Sequence, residues 1–237
     1  MVFGNPAPLP ASDTIIYTLR DNLGAAVDNR SFTITVIEDI DGIEASVDKT
    51  LYTAGDMITV TIEATIGGIL HTGYNKTGSV DIDVVDGVTS SYTRIVTFTN
   101  GIATTTVPAK VAGNDFEVEV DYKGYVDFSD KFDVIPGPVA KMGLTAVHGS
   151  RNLTITAKDS QGNTVTTFTG NKTVKVTKFE NFFGSPKTIS GADFGADNQT
   201  VANFVAGEVV LELGENCFIG DKIEVEVNGY PGSLVVP

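Results

Sequence analysis

Short segments in which hydrophobic and polar residues alternate recur along the whole chain. Three clear examples are residues 58–62, 116–120 and 223–227, in which every second residue is hydrophobic and the others are Thr or Glu. A period of two places one face of an extended strand against a core and the other face in water. Turn-forming Gly, Asn and Asp residues separate these segments, and no segment has the period of an amphipathic helix. The pattern therefore predicts an all-β protein with antiparallel strands.

The same segments occur twice and in the same order. The matched pairs are residues 58–61 with 153–156, Gly67-Gly68 with Gly162-Asn163, Asn100-Gly101 with Ala206-Gly207, residues 115–120 with 222–227, and Gly124-Tyr125 with Gly229-Tyr230. Both copies end in two hydrophobic residues followed by proline, at Pro136 and at Pro237. These prolines are about 100 residues apart, which is the size of one β-sandwich domain. The chain is therefore predicted to contain two such modules.

The repeat divides the chain into three predicted parts. Residues 41–137 and residues 138–237 are each predicted to form one β-sandwich. Residues 1–40 contain only two predicted strands, at 14–19 and 32–37, and two strands are too few for a sandwich. This first part is interpreted as the C-terminal piece of another module. The chain is then expected to be a piece of a longer array.

The last copy resembles a known family of repeats. Its second strand leads into a turn at residues 159–163 with the sequence DSQGN, and FTG at residues 168–170 introduces the next strand. These residues resemble bacterial and archaeal immunoglobulin-like repeats, the Big and invasin-like modules of surface adhesins and S-layer proteins. The middle copy resembles a divergent member, with two glycines at 67–68 in the turn, and residues 17–24 resemble the closing hairpin of a cadherin-like or PKD-like repeat. The resemblance implies tandem immunoglobulin-like β-sandwich modules, which act as spacers in many unrelated proteins.

The composition and charge exclude several classes of partner. The formal net charge is -14 at pH 7, which repels phosphate backbones and anionic lipid headgroups. No hydrophobic run reaches the ~20 residues that a membrane helix requires. Residues 1–10 lack the basic and hydrophobic regions of a secretory signal. The signal was removed, the chain is an internal fragment, or the protein is not exported; the repeat favours the fragment. We expect no nucleic acid partner and no membrane insertion.

Cys217 is the single cysteine, so no disulfide can form within the chain. Its position between Gly214 and Gly220, beside Phe218, favours a buried small hydrophobic side chain. The alternative interpretation is a disulfide between two molecules. The modules are therefore expected to be held together by core packing alone.

Phe179, Phe182 and Phe183 form one dense aromatic segment, which ends at Gly184. One interpretation is a lid over one end of a sandwich core, and the other is a contact with a neighbouring subunit. The chain contains no Trp, which argues against a sugar-binding surface because Trp is the best aromatic platform for one.

No sequence motif of catalysis is present. The chain has no nucleophile elbow, phosphate-binding loop, zinc-binding helix or dinucleotide fingerprint. The two histidines, His71 and His148, belong to different modules and have no neighbour at the spacing of a metal ligand. We expect that the protein is not an enzyme and that it carries no cofactor.

Calcium is the one ion that the sequence makes a candidate. Glu38, Asp39 and Asp41 lie together at the predicted junction before residue 42, where a hard cation could fix the angle between two modules. The alternative is a solvated hinge. A second cluster, Asp81 and Asp83 followed by Asp86, is a weaker candidate, because residues 81 and 83 lie on the same face of a strand and would equally form its wet face.

Acceptor sequences for N-glycans occur at five asparagines: Asn29, Asn75, Asn152, Asn171 and Asn198. Glycans on these residues would fit an exported protein.

Three functions remain open at this stage. The first is a structural or adhesive array of an extracellular surface protein, such as an S-layer, a filament or an adhesin stalk, in which the modules act as spacers and assemble with further copies or neighbouring subunits. The second is a fibre or capsid decoration protein of a phage virion. The third is an accessory region of a secreted carbohydrate-active enzyme.

Overall fold

The computed structural model describes residues 40–85, 90–191 and 193–237, together with the backbone of two strands nearer the N-terminus. The described part of the chain contains strands and turns and no helix. The strands in chain order are β1 (Asp13–Arg20), β2 (Ala26–Ile34), β3 (Gly42–Val47), β4 (Leu51–Thr53), β5 (Met57–Ile66), β6 (Ile69–Leu70), β7 (Thr77–Val85), β8 (Ser90–Thr97), β9 (Ile102–Pro108), β10 (Gly113–Tyr122), β11 (Tyr125–Phe128), β12 (Phe132–Ile135), β13 (Lys141–Ala146), β14 (Asn152–Lys158), β15 (Gly170–Glu180), β16 (Gln199–Phe204), β17 (Glu208–Glu212), β18 (Lys222–Val227) and β19 (Tyr230–Val235).

The first two strands, β1 and β2, form a two-stranded antiparallel sheet. The second strand of this pair begins at Ala26, six residues before the start that the sequence predicts. Its position follows from the hairpin, because Arg20 at the end of β1 pairs with Ala26 across a short connection. Residues 35–37 of the predicted strand lie outside the described residues.

The first sandwich contains two sheets around one hydrophobic core. In one sheet β5 pairs with β3 on one side and with β6 and β9 on the other. The other sheet has the order β4-β12-β10-β7-β8, with β11 also paired to β10. The alternation at residues 58–62 puts Ile58, Val60 and Ile62 into the core, where they are completely buried. Ile40, the last residue of the predicted first part, is also buried in this core.

The second sandwich is one continuous sheet with the order β16-β15-β18-β19-β13-β14-β17. The strands β16 and β17 at the two ends of this order contact each other, so the sheet curls around a single core. The two halves meet at one parallel pair, Met142 with Gly232. A Cβ atom at position 232 would lie 2.7 Å from the carbonyl oxygen of Met142, so a glycine is required where these strands approach.

Both sandwiches have the same strand order. The sheet β3-β5-β9 corresponds to β13-β14-β17, the strands β10-β7-β8 correspond to β18-β15-β16, and β11 and β12 together correspond to β19. This is an immunoglobulin-like sandwich, in which the first, second and fifth strands share one sheet. The fourth strand, β8 or β16, pairs with the third strand, whereas in constant-type immunoglobulin domains it belongs to the sheet of the first, second and fifth strands. The predicted fold class is confirmed. The domain boundaries after residues 40 and 137 stay predictions.

A set of backbone hydrogen bonds fixes how the two sandwiches correspond residue by residue. Ala64 N–H donates to the carbonyl of Gly101, and Ala157 N–H donates to that of Gly207, in each case at the end of the second strand. The same hydrogen bonds continue in both copies: His71 to Ala64, Tyr74 to His71 and Gly101 to Tyr74 in the first, and Val165 to Ala157, Phe168 to Val165 and Gly207 to Phe168 in the second.

The correspondence corrects the register of the sequence match. Ala64 corresponds to Ala157, so residues 58–61 correspond to residues 151–154 and not to the predicted residues 153–156. The hairpin turns give the same correction for the match of residues 115–120, because Tyr122 and Val227 each immediately precede a turn. A shift of two residues preserves an alternating pattern, so the pattern alone could not reveal it.

Candidate functional site at the junction of the two sandwiches

The segment between the two sandwiches has little freedom to bend. Pro136 and Pro138 fix their own φ angles and lack a backbone N–H, so Gly137 carries the one backbone donor of this tripeptide. Its N–H donates to Oδ2 of Asp159 in the second sandwich at 3.0 Å. A Cβ atom at position 137 would lie 3.1 Å from the carbonyl oxygen of Ala54 in the first sandwich. The segment therefore passes between the sandwiches at close contact with both.

Asp159 follows the last residue of β14, and its side chain is completely buried. Four hydrogen bonds satisfy the carboxylate. Oδ2 accepts from Gly137 N–H at 3.0 Å and from Asn163 Nδ2 at 2.9 Å. Oδ1 accepts from the N–H groups of Gln161 and Asn163 at 2.9 and 2.8 Å. A buried carboxylate is costly without such partners, so the position requires the whole turn at 159–163 to be in place.

The electrostatics of this carboxylate follow from the same contacts. Burial alone would raise the pKa of Asp159, because it disfavours the charged form. The hydrogen bonds from Asn163, Gly137 and Gln161 outweigh burial and hold the pKa of Asp159 below its usual value. The carboxylate is therefore ionised at neutral pH, and its charge is stabilised by donors from the turn and from the linker.

Asn163 joins the same turn to the first sandwich. Its Nδ2 donates to the carbonyl oxygen of Lys110 at 2.8 Å, and its Oδ1 accepts from the N–H of Ala112 at 3.0 Å. One side-chain amide thus pairs with the carbonyl and the N–H of the loop between β9 and β10, as a neighbouring strand would. The resulting chain of hydrogen bonds runs from residues 110–112 through Asn163 and Asp159 to Gly137. We call these residues the junction network.

The sequence predicted a turn at residues 161–163 from its residue types and from the repeat, and the resemblance to a family extended this turn to residue 159. It did not identify Asp159 and Asn163 as interdomain residues. The usable signal was a carboxylate and an amide four residues apart in one predicted turn. The role of Lys110 and Ala112 leaves no signal in the sequence, because they contribute backbone atoms.

The structure locates part of the predicted calcium sites. Asp41 is exposed, and both of its oxygens accept the N–H of Gly67 at 2.9 Å in the turn between β5 and β6. Glu38, Asp39 and Asp86 lie outside the described residues. Within the described part of the chain, no group of three or more His, Cys, Asp and Glu residues is arranged to hold a metal ion. Calcium binding at Glu38, Asp39 and Asp41 stays a prediction.

The strand-face prediction for Asp81 and Asp83 agrees with their pairing. Asp81 lies opposite Asp121 and Asp83 lies opposite Glu119, on the same face of the sheet formed by β7 and β10. Asp81 Oδ1 also accepts from Thr93 Oγ1 at 2.7 Å.

The remaining candidates lie apart from the junction network. Cys217 is completely buried, as the first interpretation expected, and burial raises the pKa of its thiol. Phe179 lies in the core, whereas Phe182 and Phe183 are 69 % and 88 % exposed, so the aromatic segment is divided between the two interpretations. His71 lies near Tyr74 in the first sandwich and His148 against Phe218 in the second.

Three of the predicted glycan acceptors are exposed, namely Asn75, Asn152 and Asn171. Asn198 is half-buried at a left-handed turn position, with a φ of 57°. Glycosylation itself stays a prediction. No helix in the described ranges has the length and hydrophobicity needed to cross a membrane.

Fold and junction together define a protein of immunoglobulin-like sandwiches connected by a hydrogen-bonded linker. No protein-family model matches the chain, and no curated protein matches it. Among solved structures, the chain is similar to the Yersinia pseudotuberculosis adhesin InvE, at 17% identity over 82% of this chain and 57% of that one, with a TM-score of 0.31. It is similar to the Escherichia coli adhesin FdeC at 18% identity over 95% of this chain and 74% of that one, with a TM-score of 0.34.

A third similar structure is the trypsin-activated alpha-2-macroglobulin of Escherichia coli, at 12% identity, with a TM-score of 0.31. The match covers 89% of this chain and 17% of the macroglobulin. At these identities and TM-scores the similarities carry no argument about function.

Proposed function

We propose that this chain is a rigid spacer in an extracellular structural or adhesive surface protein, such as an S-layer, a filament or an adhesin stalk. The observation that supports this proposal is the junction network, in which Asp159 and Asn163 bind the linker and the first sandwich together. A hydrogen bond to a charged group contributes about 1.5–3 kcal/mol, and one between neutral groups about 0.5–1.5 kcal/mol. Bending of the linker is opposed by the bond from Gly137 to Asp159 and by the two bonds of Asn163 to Lys110 and Ala112, whereas the other three bonds to Asp159 lie within the turn.

The proposed role is mechanical and not enzymatic. When the angle between two sandwiches is fixed, the distance and direction from one end of the protein to the other are fixed as well. A stalk or a lattice subunit requires this rigidity. The acidic composition would keep such an exposed polymer soluble. Its partners would be further copies of the chain or neighbouring surface subunits. The exposed asparagines would then be available to N-glycans.

The test is a distance measurement between the two sandwiches. Spin labels are attached through Ile95→Cys in β8 and Val201→Cys in β16, both of which are exposed, while Cys217 is buried and does not compete for the label. We expect a narrow distribution of distances between the two spin labels in the full chain, measured by pulsed electron paramagnetic resonance. Asn163→Ala should broaden it, because the bonds to Lys110 and Ala112 are lost.

Gln161→Ala is the matched control. It changes the same turn but keeps the backbone N–H that binds Asp159, so the distribution should stay narrow. A broad distribution in the unmodified chain would show a flexible linker and would contradict the proposal.

A further inference from the structure

A lysine and an aspartate are buried together at the end of the second sandwich where β15 ends and β18 begins. Lys187 lies in the loop between β15 and β16, and Asp221 immediately precedes β18. Nζ of Lys187 is 2.5 Å from Oδ2 of Asp221, and the two side chains are 8% and 2% exposed. The pair belongs to neither the junction network nor the predicted sites.

The surroundings hold the amine against the carboxyl group and exclude water. Nζ lies 4.6 Å from the ring centre of Phe179 and 4.7 Å from that of Phe218. It also donates to the carbonyl oxygen of Asn216. On the other side, the N–H of Phe218 donates to Oδ2 of Asp221 at 2.8 Å. The nucleophile and the carboxyl group are therefore both oriented, and a backbone donor is directed at the carboxyl oxygen.

The same sandwich contains an ordinary ion pair for comparison. Lys178 and Glu224 are 3.7 Å apart, and their side chains are 37% and 50% exposed. Water solvates those charges. At Lys187 and Asp221 both groups are removed from water and held in direct contact with each other. Close, oriented groups in a dry site also react far faster than the same groups in solution.

We propose that Lys187 and Asp221 form an intramolecular isopeptide bond. One proton passes from the ammonium to the carboxylate within the pair. The Nζ lone pair then attacks Cγ of Asp221, and the developing charge on Oδ2 is stabilised by the N–H of Phe218. A proton moves from Nζ to the other carboxyl oxygen, the C–O bond breaks, and one water molecule leaves. The product is an amide, net charge is conserved, and no other reactant is needed.

The bond would be a covalent cross-link in a chain whose single cysteine cannot form an internal disulfide. It would join the loop after β15 covalently to the start of β18 and so restrict the unfolded chain, as a disulfide does. It would also replace two buried charges by one neutral amide. The inference concerns the second sandwich alone and does not depend on the proposed spacer role.

Intact mass spectrometry of the full chain under denaturing conditions tests the bond. We expect a mass lower than that of the sequence by one water molecule. Digestion should give one branched peptide that contains both Lys187 and Asp221. The proposal would be overturned if protein that has folded, and is then denatured for the measurement, has the full mass calculated from its sequence.

Three variants separate the bond from other losses of water. Lys187→Arg keeps a positive charge beside Asp221 but has no amine that can condense, so its mass should equal that of its sequence. Asp221→Ala should also show no loss, whereas Lys178→Ala should still lose one water. The chain contains the pairs Asp41-Gly42 and Asp86-Gly87, which can lose water by cyclisation. A loss that persists in Lys187→Arg would assign the change to such a site and contradict the proposal.

Discussion

Asp83 lies directly opposite Glu119 on neighbouring strands of the first sandwich. In the second sandwich the residue that corresponds to Glu119 is Glu224, and it lies opposite Lys178. The same contrast recurs two residues along, where Asp121 lies opposite Asp81 and Glu226 lies opposite Lys175. One sandwich thus has a charge-matched face and the other a face of like charges.

This difference predicts the effect of a charge reversal. Asp83→Lys should stabilise the chain by about 0.5 kcal/mol, because it converts a like-charged cross-strand pair into an opposite-charged one. Lys178→Asp is the matched reverse change and should destabilise by a similar amount. Thermal unfolding at low salt measures both effects, and they should shrink as salt screens the charges. A lower melting temperature for Asp83→Lys would contradict the prediction.

The junction network predicts a large effect from a single carboxylate. Asp159→Ala should lower the free energy of unfolding of the second sandwich by about 2–4 kcal/mol, because it leaves the donors of Gly137, Gln161 and Asn163 without their acceptor. Denaturant unfolding of the full chain measures this loss. Gln161→Ala, which removes only a surface side chain of the same turn, should change the value little. Equal effects of the two variants would show that the carboxylate is not essential to the turn.

The lowered pKa of Asp159 predicts a loss of stability in acid. Because the pKa in the folded state lies below the ordinary value of about 3.9, the unfolded chain binds this proton more readily. The contribution to stability is therefore complete above about pH 5 and is lost as the pH falls through the folded pKa. The measurement is the difference in unfolding free energy between the unmodified chain and Asp159→Asn from pH 7 to pH 3. The difference should shrink below about pH 4, and a constant difference would contradict the assignment.

Two glycines at left-handed turn positions predict different costs for the same substitution. Gly207 has a φ of 82°, and a Cβ atom there would lie 2.6 Å from the carbonyl oxygen of Val165. Gly229 has a φ of 87°, but a Cβ atom there would meet nothing within 4 Å. Gly229→Ala should cost about 1–2 kcal/mol from backbone strain alone. Gly207→Ala should cost more, because the clash adds to the strain, and equal melting temperatures would refute the close approach.

The burial of Cys217 predicts that its thiol is unreactive in the folded protein. Burial raises its pKa, so the reactive thiolate is scarce, and the side chain is inaccessible. A thiol reagent should modify it only after denaturation. The chain should also run as a monomer on a non-reducing gel. Rapid modification of the native chain, or a disulfide-linked dimer, would restore the alternative of a bridge between molecules.

Local residue patterns were sufficient to predict the fold class. Alternating residues at 58–62 and 223–227 are sufficient to predict strands, because a strand has one inward face for every second residue. The turn pairs Asn100-Gly101 and Ala206-Gly207 were matched correctly, because a glycine occupies the second left-handed position of both turns. These features are local, so they can be recognised from neighbouring residues alone.

The register between the two copies and the identity of the junction residues depend on contacts between residues that are distant in sequence. An alternating strand looks the same after a shift of two residues, so the hydrogen bonds of Ala64 and Ala157 were needed to align the copies. Asp159 reads as an ordinary turn residue until the N–H of Gly137 is placed against it. Lys187 and Asp221 are 34 residues apart in the sequence and come into contact only when the sheet forms. Contacts between residues distant in sequence depend on how the strands pack, and the local pattern carries no record of that packing.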